Sequence, residues 1–479
     1  MSNTLFAGVV RRVINPVTGH DKVGLRLFGD PIQAIETDLT ATVLVLANGS
    51  SKVAIIACDL CLIPGSVVSE ARRKVAEAIE TPASHVMLNM SHTHSAPAFP
   101  GWMEITSEQR SVKQRYQDNF IRSLVGATIE ANQSLQEARI GAGWGESHIG
   151  VYRRETGPDG KDVLGEVPGA PIDPAVGVIR VDDLEGSPIA VQFSYGCHPV
   201  TVGPRSMVAS SDYPGAAREV LEKELGGTAL FLQGCGGNIN PAVGIGYEVD
   251  CRQNKNRAGR MLGGEALQVA ASLRTHVRRG PRRPLGKIPN ILFTPWLAVE
   301  GDTCTYLAAA EEIVKLRFIE LPSFEEAQKI RDKWQKTLSE RIAGGAQDWE
   351  IRVAAKMADW SKNLVDAVRD GAPTIDLVIQ AIRVNDIVLT GLNVEAFFET
   401  GLAIKAKSPF QHTQVLGYTN GSIGYLPRAE DYPQGGWKLH ESYAVPDLFV
   451  QAYSLPVALH PESEQVAVER ASALIRQLQ

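Results

Sequence analysis

Apolar runs separated by short polar turns recur along this chain and predict β-hairpins. Residues 43–46 and 53–58 flank the turn Asn48-Gly49, a dipeptide typical of tight hairpins. The same form occurs twice more, with paired runs at 176–181 and 189–195 and at 377–384 and 387–392. A polar residue follows each returning strand: Asp59, His198 and Glu395. Because a rigid sheet presents reactive side chains from the loops at its strand ends, these residues are candidates for chemistry.

A predicted helix and a further strand follow each of the first two hairpins. Ser66 is a suitable N-cap for a helix over residues 66–80, and Asp212 is suitable for one over 212–225. The strands 86–90 and 230–233 come next, and each runs directly into a polar motif. We therefore predict an α/β (mixed α+β) fold, in which β-hairpins and strand-helix-strand units form mixed sheets covered by helices.

The chain is expected to form a single catalytic domain over residues 1–479, with a mainly helical segment inside it. Residues from about 250 to 370 are predicted to be largely helical, because residues 324–342 and 349–368 show amphipathic spacing. This segment fits either a helical insertion or lid, or ordinary packing helices.

Composition and charge exclude several functional classes. With 44% hydrophobic and 21% charged residues, the 479-residue chain is typical of a globular enzyme. Its net charge of −6 argues against nucleic-acid binding, which needs a concentrated basic face. No apolar run approaches the roughly 18 residues of a membrane span, and residues 1–21 lack a signal-peptide pattern. We expect a cytoplasmic protein that acts on a small molecule, and we leave a homo-oligomeric assembly open.

Three histidines and a glutamate near strand ends are the candidates for a metal site. His92 and His94 form an H-x-H motif after the strand 86–90, and they point the same way if the chain is extended. One can bind a metal while the other stands beside a metal-bound water; a hydrogen-bonded loop histidine is the alternative. Together with His198 and Glu395, His92 would provide the two imidazoles and one carboxylate of a catalytic zinc site with an open position.

Two further polar residues are candidates for stabilising an oxyanion. Arg153, in a polar loop after residues 149–151, can bind a carboxylate or an oxyanion through its guanidinium group; a surface arginine is the alternative. Tyr425 lies in the loop 420–427, and its hydroxyl can reach a metal or donate to an oxyanion. Asp59 is a candidate for orienting a histidine ligand.

The order and spacing of these motifs resemble the neutral, non-lysosomal ceramidase family over nearly the whole chain. Beside the H-x-H motif and Glu395, the matching segments are residues 7–9, 152–154, 197–199, 211–215, 233–241 and 420–425. The resemblance implies a zinc amidase in which His92, His198 and Glu395 bind the metal, His94 lies in the active site, and Tyr425 completes the zinc site. The loop containing Tyr425 can also be aligned with Ser422 in its place.

The chain departs from the family pattern in ways that affect the expected substrate. Asn240 stands where ceramidases carry a serine, so no serine mechanism is available at that position. The sequence also stops where the family continues into a C-terminal β-rich domain. We therefore expect a small soluble N-acyl substrate in place of ceramide.

The sequence thus predicts a zinc-dependent amidohydrolase that cleaves an amide bond by attack of metal-bound water. His94 is the expected general base and acid, with Arg153 and Tyr425 holding the oxyanion. The same site acting as an esterase, a lactonase or a lyase is the alternative within enzymes. A metal-dependent binding protein without turnover is the alternative of another class, favoured by Asn240 and disfavoured by the pair His92 and His94.

Overall fold

A computed structural model describes residues 4–23, 31–101, 106–158, 162–204, 206–246, 252–299, 305–371, 374–434, 439–440, 445–446 and 453–479. Twelve strands form three sheets, with four of these strands in each. Sheet A contains β1 (Phe6–Val13), β2 (Thr40–Ala47), β3 (Lys52–Cys58) and β4 (Val86–Met90). Sheet B contains β5 (Arg139–Glu146), β6 (Ala175–Asp182), β7 (Pro188–Tyr195) and β8 (Thr228–Gln233). Sheet C contains β9 (Leu307–Arg317), β10 (Thr374–Val384), β11 (Ile387–Leu392) and β12 (His412–Leu416).

The three sheets share one topology. Within each sheet the first three strands are antiparallel neighbours, and the fourth lies parallel to the third at the edge of the sheet. Sheets B and C repeat this order strand for strand. In sheet A the short strand Gln136–Glu137 is added beside β1. The parallel fourth strand requires a crossover connection, and a helix forms it in each sheet. We call each sheet, with the helices that pack on it, a unit. The crossover helices are α1 (Gly65–Ala78) in unit A, α3 (Asp212–Leu225) in unit B and α7 (Phe398–Lys407) in unit C.

The remaining long helices cover the outer faces of the sheets or pack on each other. They are α2 (Ser107–Gln133), α4 (Arg252–Ser272), α5 (Phe324–Ala343), α6 (Asp348–Asp370) and α8 (Ser463–Gln477). Each unit therefore has two helices on its sheet: α1 and α2 on A, α3 and α4 on B, α7 and α8 on C. Helices α5 and α6 form a separate pair that packs through residues including Trp360. None of the helices in the described part of the chain combines the length and apolarity that crossing a bilayer requires.

The inner faces of the three sheets meet in one central core. Ile55 and Met87 of unit A, Val181 of unit B, and Ile382 and Leu389 of unit C belong to the same buried cluster. Each sheet is therefore buried on both faces, by its helices outside and by the other sheets inside. Strands in such positions have continuous apolar sequences, which explains why β3 is buried at six of its seven positions.

The carboxyl ends of β3, β4, β7, β8, β11 and β12 are joined where the three units meet. Asn89 accepts a hydrogen bond from the Gln233 backbone N–H (2.7 Å) and donates to the Gly417 carbonyl (2.8 Å) and the Thr419 hydroxyl (2.9 Å). Its side chain is fully buried. One residue of unit A thus ties the ends of the other two units together, and the polar residues that follow these strands lie close to one another.

The predicted α/β class and the hairpins are confirmed, with small changes at the helix starts. Helix α1 begins at Gly65, after Pro64, so Ser66 is not its N-cap. Helix α3 begins at Asp212 itself, and Ser211 is the residue before it. The Asp212 carboxylate instead accepts hydrogen bonds from the Thr201 hydroxyl (2.6 Å) and the Val202 N–H (2.8 Å).

The segment 250–370 is only partly helical. It contains α4, α5 and α6, but β9 and four short strands lie between them. The short strands are Val277–Arg279, Arg283–Leu285, Ile288–Phe293 and Trp296–Ala298. The prediction of a largely helical segment was wrong at β9 and the four short strands, because basic residues and prolines in the sequence obscure the strand pattern there. Residues 300–304 of this segment lie outside the described part of the chain. Helix α4 packs on sheet B, so it is part of unit B.

Shorter strands complete the fold around the strand ends. Gly150–Thr156 lies between Asp162–Val167 and Ile239–Pro241 in a three-stranded sheet. Two-residue pairs join Lys22–Val23 to Ala96–Pro97, Ala34–Ile35 to Val208–Ala209, Glu395–Ala396 to Tyr425–Leu426, and Leu439–His440 to Val445–Pro446. Short 3-10 helices occur at Ala83–His85 and Ala429–Gln434.

Candidate metal centre

His92, His198 and Glu395 come together where the three units meet. Each follows a strand of a different sheet: β4, β7 and β11. His198 Nε2 lies 3.1 Å from Glu395 Oε2, and His92 Nε2 lies 3.6 Å from the same oxygen. The potential ligand atoms all lie within 4.8 Å of one another, and all three residues are buried. The carboxyl ends of sheet strands are a common place for a ligand site, because loops from several strands meet there.

Both histidines are oriented for coordination through Nε2. His92 Nδ1 lies 2.9 Å from the Cys61 carbonyl, and His198 Nδ1 lies 2.7 Å from the Gly236 carbonyl. A carbonyl only accepts, so each Nδ1 carries the proton and each Nε2 has a free lone pair. His198 Nε2 is buried and makes no hydrogen bond of acceptable geometry. A buried acceptor of this kind beside a carboxylate oxygen fits a cation.

The charges of the cluster also suit a cation. Burial lowers the pKa of His92, and it lowers that of His198 to about 4 with a contribution from Arg153. Burial alone would raise the pKa of Glu395, but the two histidines and Arg153 outweigh it and hold that pKa well below its usual range. The glutamate is therefore ionised and the imidazoles are neutral near pH 7, which is the state in which these groups bind metals.

Cys61 offers a second grouping with His92 and His94, but its chemistry is less suitable. Its sulfur lies 3.7 Å from His92 Nδ1, the nitrogen that is already bonded to a carbonyl. Burial, and then the nearby Glu395, raise the pKa of the Cys61 thiol well above its usual value. The sulfur lies on the Nδ1 side of the His92 ring and not on the Nε2 side, so the set of His92, His198 and Glu395 is the better candidate.

His94 lies beside this cluster. Its Nε2 is 3.1 Å from His92 Nε2, and its ring meets those of His92 and His198 edge to face. Burial, and then the two neighbouring imidazoles, lower the pKa of His94 well below 6.5. His94 is less buried than the three candidate ligands. It is thus a neutral base at the rim of the candidate metal position.

Arg153 and Tyr425 also lie close to Glu395. Arg153 is buried in the strand Gly150–Thr156, where it donates to the Gly237 carbonyl (2.7 Å), to Asn240 Oδ1 (3.2 Å) and to the Tyr425 hydroxyl (3.0 Å). Tyr425 is the parallel partner of Glu395 in a two-residue ladder. The ladder brings the tyrosine to the carboxylate, and the arginine holds the phenol in place.

Two tyrosines that the sequence did not indicate also hold Glu395. The Tyr418 hydroxyl donates to Oε2 (3.0 Å) and the Tyr453 hydroxyl donates to Oε1 (2.5 Å). Tyr418 follows β12 as His92 follows β4, so recognising a third strand-helix-strand unit would have drawn attention to it. Tyr453 lies in no periodic segment, and no sequence signal pointed to it.

The glycine-rich turn 234–237 serves close packing of the site segments. A Cβ atom added to Gly237 would lie 2.6 Å from the Glu395 carbonyl oxygen, nearer than real Cβ atoms approach. The Gly237 N–H donates to the Ala396 carbonyl (2.9 Å). The turn thus binds the segment after β8 to the one after β11, and the absence of a side chain at Gly237 permits this close approach.

Asp59 and Glu399 have partners outside the cluster. Both oxygens of Asp59 bind the Arg218 guanidinium, at 2.8 and 2.7 Å, so the expectation that Asp59 orients a histidine was wrong. Backbone carbonyls of Cys61 and Gly236 do that instead. Glu399 accepts from Asn238 Nδ2 (2.8 Å).

Comparison with known proteins finds similarity to neutral ceramidases. No family model matches the chain. It is 29% identical over 175 residues to neutral ceramidase A of Dictyostelium discoideum and 23% identical over 258 residues to neutral ceramidase B of the same organism. These stretches cover 33% and 48% of this chain, and 24% and 34% of the relatives. The chain therefore matches about a third or less of the length of these curated relatives.

Solved structures share the fold over the whole chain. The crystal structure of neutral ceramidase from Pseudomonas aeruginosa covers 100% of this chain with a TM-score of 0.64 and 17% identity, over 75% of its own length. A structure described as ceramidase complexed with C2 covers 99% with a TM-score of 0.65 and 15% identity, again over 75% of its length. The predicted resemblance to neutral ceramidases is confirmed.

Proposed function

We propose, because the chain is related to the neutral ceramidases in sequence and in fold, that it is a zinc-dependent amidohydrolase acting on a small soluble N-acyl substrate. The observation that carries this proposal is the buried set of His92, His198 and Glu395 with the neutral His94 beside it. Two imidazoles and one carboxylate are a common ligand set of catalytic zinc, which keeps a further position open for water or substrate.

The metal would be held by His92 Nε2, His198 Nε2 and a Glu395 oxygen. When bound, zinc supplies a Lewis acid and lowers the pKa of a coordinated water. The Tyr418 and Tyr453 hydroxyls keep the glutamate oriented by donating to its two oxygens. A fixed carboxylate binds a cation with less loss of conformational entropy than a mobile one.

His94 moves the proton in this mechanism. It is neutral near pH 7 and lies beside His92 Nε2, so it can take a proton from the attacking water. The resulting imidazolium then gives that proton to the leaving nitrogen. A base in this position contributes roughly 10²- to 10⁴-fold to the rate.

Arg153 and Tyr425 would stabilise the negative charge that develops on the carbonyl oxygen. The guanidinium is buried, and it donates to the phenol at 3.0 Å. The arginine uses a lone pair of the phenol oxygen and leaves its proton in place, and the nearby cation strengthens the phenol as a donor. Preorganised donors in a buried site need no rearrangement during the reaction.

Asn240 favours attack by water over attack by a protein nucleophile. An amide side chain has no nucleophilic oxygen comparable to that of serine, and here Asn240 Oδ1 accepts a hydrogen bond from Arg153. Hydrolysis of an ester or a lactone, or a lyase reaction, uses the same groups and is the second candidate. A binding protein without turnover is the third.

Metal content is the first test of the proposal. Elemental mass spectrometry of the purified protein is expected to give about one zinc per chain, and His198→Ala is expected to lose it. His148→Ala, which changes an exposed histidine, is the matched control and should keep the metal. Paired amide and ester substrates with one acyl group then distinguish the first two candidates. A wild-type protein that takes up no transition metal after addition of zinc would contradict the hydrolase mechanism.

A further inference from the structure

A cavity of about 520 Å³ lies against the outer side of the candidate metal centre. Tyr453 and Ser422 line it, and the Ser422 hydroxyl donates a hydrogen bond to the Tyr453 hydroxyl (3.0 Å). The Tyr453 hydroxyl also donates to Glu395 Oε1 at 2.5 Å. One tyrosine side chain therefore belongs both to the cavity wall and to the residues that hold the metal-site carboxylate. The volume is in the range of small-molecule sites, roughly 300–1,000 Å³.

The two walls of the cavity differ in chemistry. Unit A provides an apolar wall, formed by Leu62, Ile63, Pro64, Ala98, Phe99 and Pro100. Helix α6 provides the opposite wall, with Lys356, Asp359, Lys362 and Asn363. Helix α6 is fixed in this position because the buried Trp360 donates its indole N–H to the Leu455 carbonyl (2.9 Å), two residues after Tyr453.

Lys356 is the most buried charged residue in the described lining of the cavity. Lys356 is partly buried, and its ammonium donates to the Ser454 hydroxyl (3.1 Å), next to Tyr453. Asp359 and Lys362 are exposed, and their i, i+3 spacing places them side by side at the mouth, where solvent screens them. Burial lowers the pKa of Lys356 to about 8 against the opposing effect of Asp359. A carboxylate bound in the cavity can accept a charge-assisted hydrogen bond from this ammonium.

We propose that this cavity selects amide substrates that carry a carboxylate, with Lys356 binding the carboxylate and the apolar wall of unit A binding the alkyl part. The inference rests on the proposed amide hydrolysis, for which it names the substrate class. A carboxylate on the amine side of the amide and one on the acyl side have the same chemistry, so both are included. The uncharged amide of similar size is the substrate that the site would discriminate against.

The test compares three amides of similar length. N-octanoylglycine carries its carboxylate on the amine side, N-octylsuccinamic acid carries it on the acyl side, and N-methyloctanamide has none. Zinc-loaded wild-type protein is expected to show a higher kcat/KM for at least one of the two anionic amides than for the neutral one. Lys356→Met should reduce kcat/KM for the anionic amide about 10- to 100-fold, the effect of losing one charge-assisted hydrogen bond. The kcat/KM for the neutral amide should be unchanged.

Two further variants separate recognition from folding. Lys356→Arg retains the charge and is expected to restore most of the preference. Lys329→Met removes an exposed lysine from α5 and should behave as wild type. Thermal melting and zinc content of Lys356→Met show whether the fold and the metal site are intact.

Failure of the inference and failure of the proposed function give different results. If none of the amides is cleaved, the same three compounds become binding probes for the same zinc-loaded protein in calorimetry. Anionic preference that depends on Lys356, without turnover, would support the anion site and contradict the hydrolase. Equal affinities for charged and neutral amides, no measurable binding of either anion, or a preference that Lys356→Met leaves intact would overturn the inference.

Discussion

The Tyr418 hydroxyl donates to Glu395 Oε2 at 3.0 Å while its ring stacks on that of His92, with 4.3 Å between the ring centroids. One side chain therefore orients two candidate metal ligands from different sheets. Burial, and then the nearby carboxylate, raise the pKa of Tyr418 well above its usual value. The phenol is therefore protonated near neutral pH and can donate its hydrogen bond there.

Tyr418→Phe separates the stacking on His92 from the hydrogen bond to Glu395, because phenylalanine retains the ring and lacks the hydroxyl. Zinc affinity is expected to fall about 10- to 100-fold, the usual effect of removing a group that orients a metal ligand. Competition with a chromophoric chelator measures this change. Tyr116→Phe is the control, since its hydroxyl bonds the Ile14 carbonyl away from the site. An unchanged affinity would show that the hydrogen bond from Tyr418 is not needed to hold Glu395.

His94→Gln should abolish most turnover without removing the metal. The His94 ring lies beside the three candidate ligands and is not needed to complete the set. We expect kcat to fall roughly 10²- to 10⁴-fold while the zinc content stays near that of the wild type. Loss of the zinc would instead mean that His94 is a metal ligand and that His92 is the base that transfers the proton.

Asn89→Ala should destabilise the whole fold, since Asn89 joins the three units at their strand ends. The substitution leaves the Gln233 N–H buried without its side-chain partner and removes one of the two side-chain hydrogen bonds to the Gly417 carbonyl. A buried group without a partner costs about 1–3 kcal/mol. We expect the melting temperature, measured by calorimetry, to fall by several degrees. Asn290→Ala, at an exposed position, is the control. A melting temperature equal to that of the wild type would show that the hydrogen bonds of the Asn89 side chain do not contribute to holding the units together.

Binding of the anionic ligand should decrease with rising pH. Lys356 binds a carboxylate when it is protonated, and its pKa in the free protein is about 8. Affinity is therefore expected to be constant below that pH and to fall by up to about tenfold per unit as the pH rises through it. Asp359, Lys362 and Tyr453 line the same cavity, but Asp359 and the tyrosine do not change charge between pH 7 and 9, and Lys362 lies at the mouth.

Calorimetry of N-octanoylglycine at several pH values measures this dependence. The same titration with Lys356→Met is expected to give an affinity independent of pH over that range. A parallel fall in the variant would assign the pH dependence to another group, in which case Lys356 does not bind the carboxylate.

Local sequence determined the elements of this protein. Asn48 accepts hydrogen bonds from the N–H groups of Ser50 and Ser51 (3.0 and 2.7 Å), so a side chain encodes the first hairpin turn without help from distant residues. Asn385 has a φ of 55°, a conformation that asparagine tolerates better than most residues. Mainly apolar runs of four to eight residues then indicate the strands. Such signals depend on neighbours in the chain, so they can be interpreted from sequence alone.

Tertiary structure decided what the polar residues after those strands do. Glu395 and Asp59 both follow the returning strand of a hairpin, yet Glu395 joins two histidines and Asp59 is bound to Arg218, 159 positions away. The donors to Glu395 include Tyr418, 23 positions on, and Tyr453, 58 positions on. These contacts arise because three sheets with one topology bring their strand ends to one place. Sequence spacing carries no information on that convergence, since it is set by packing of the sheets around their common core.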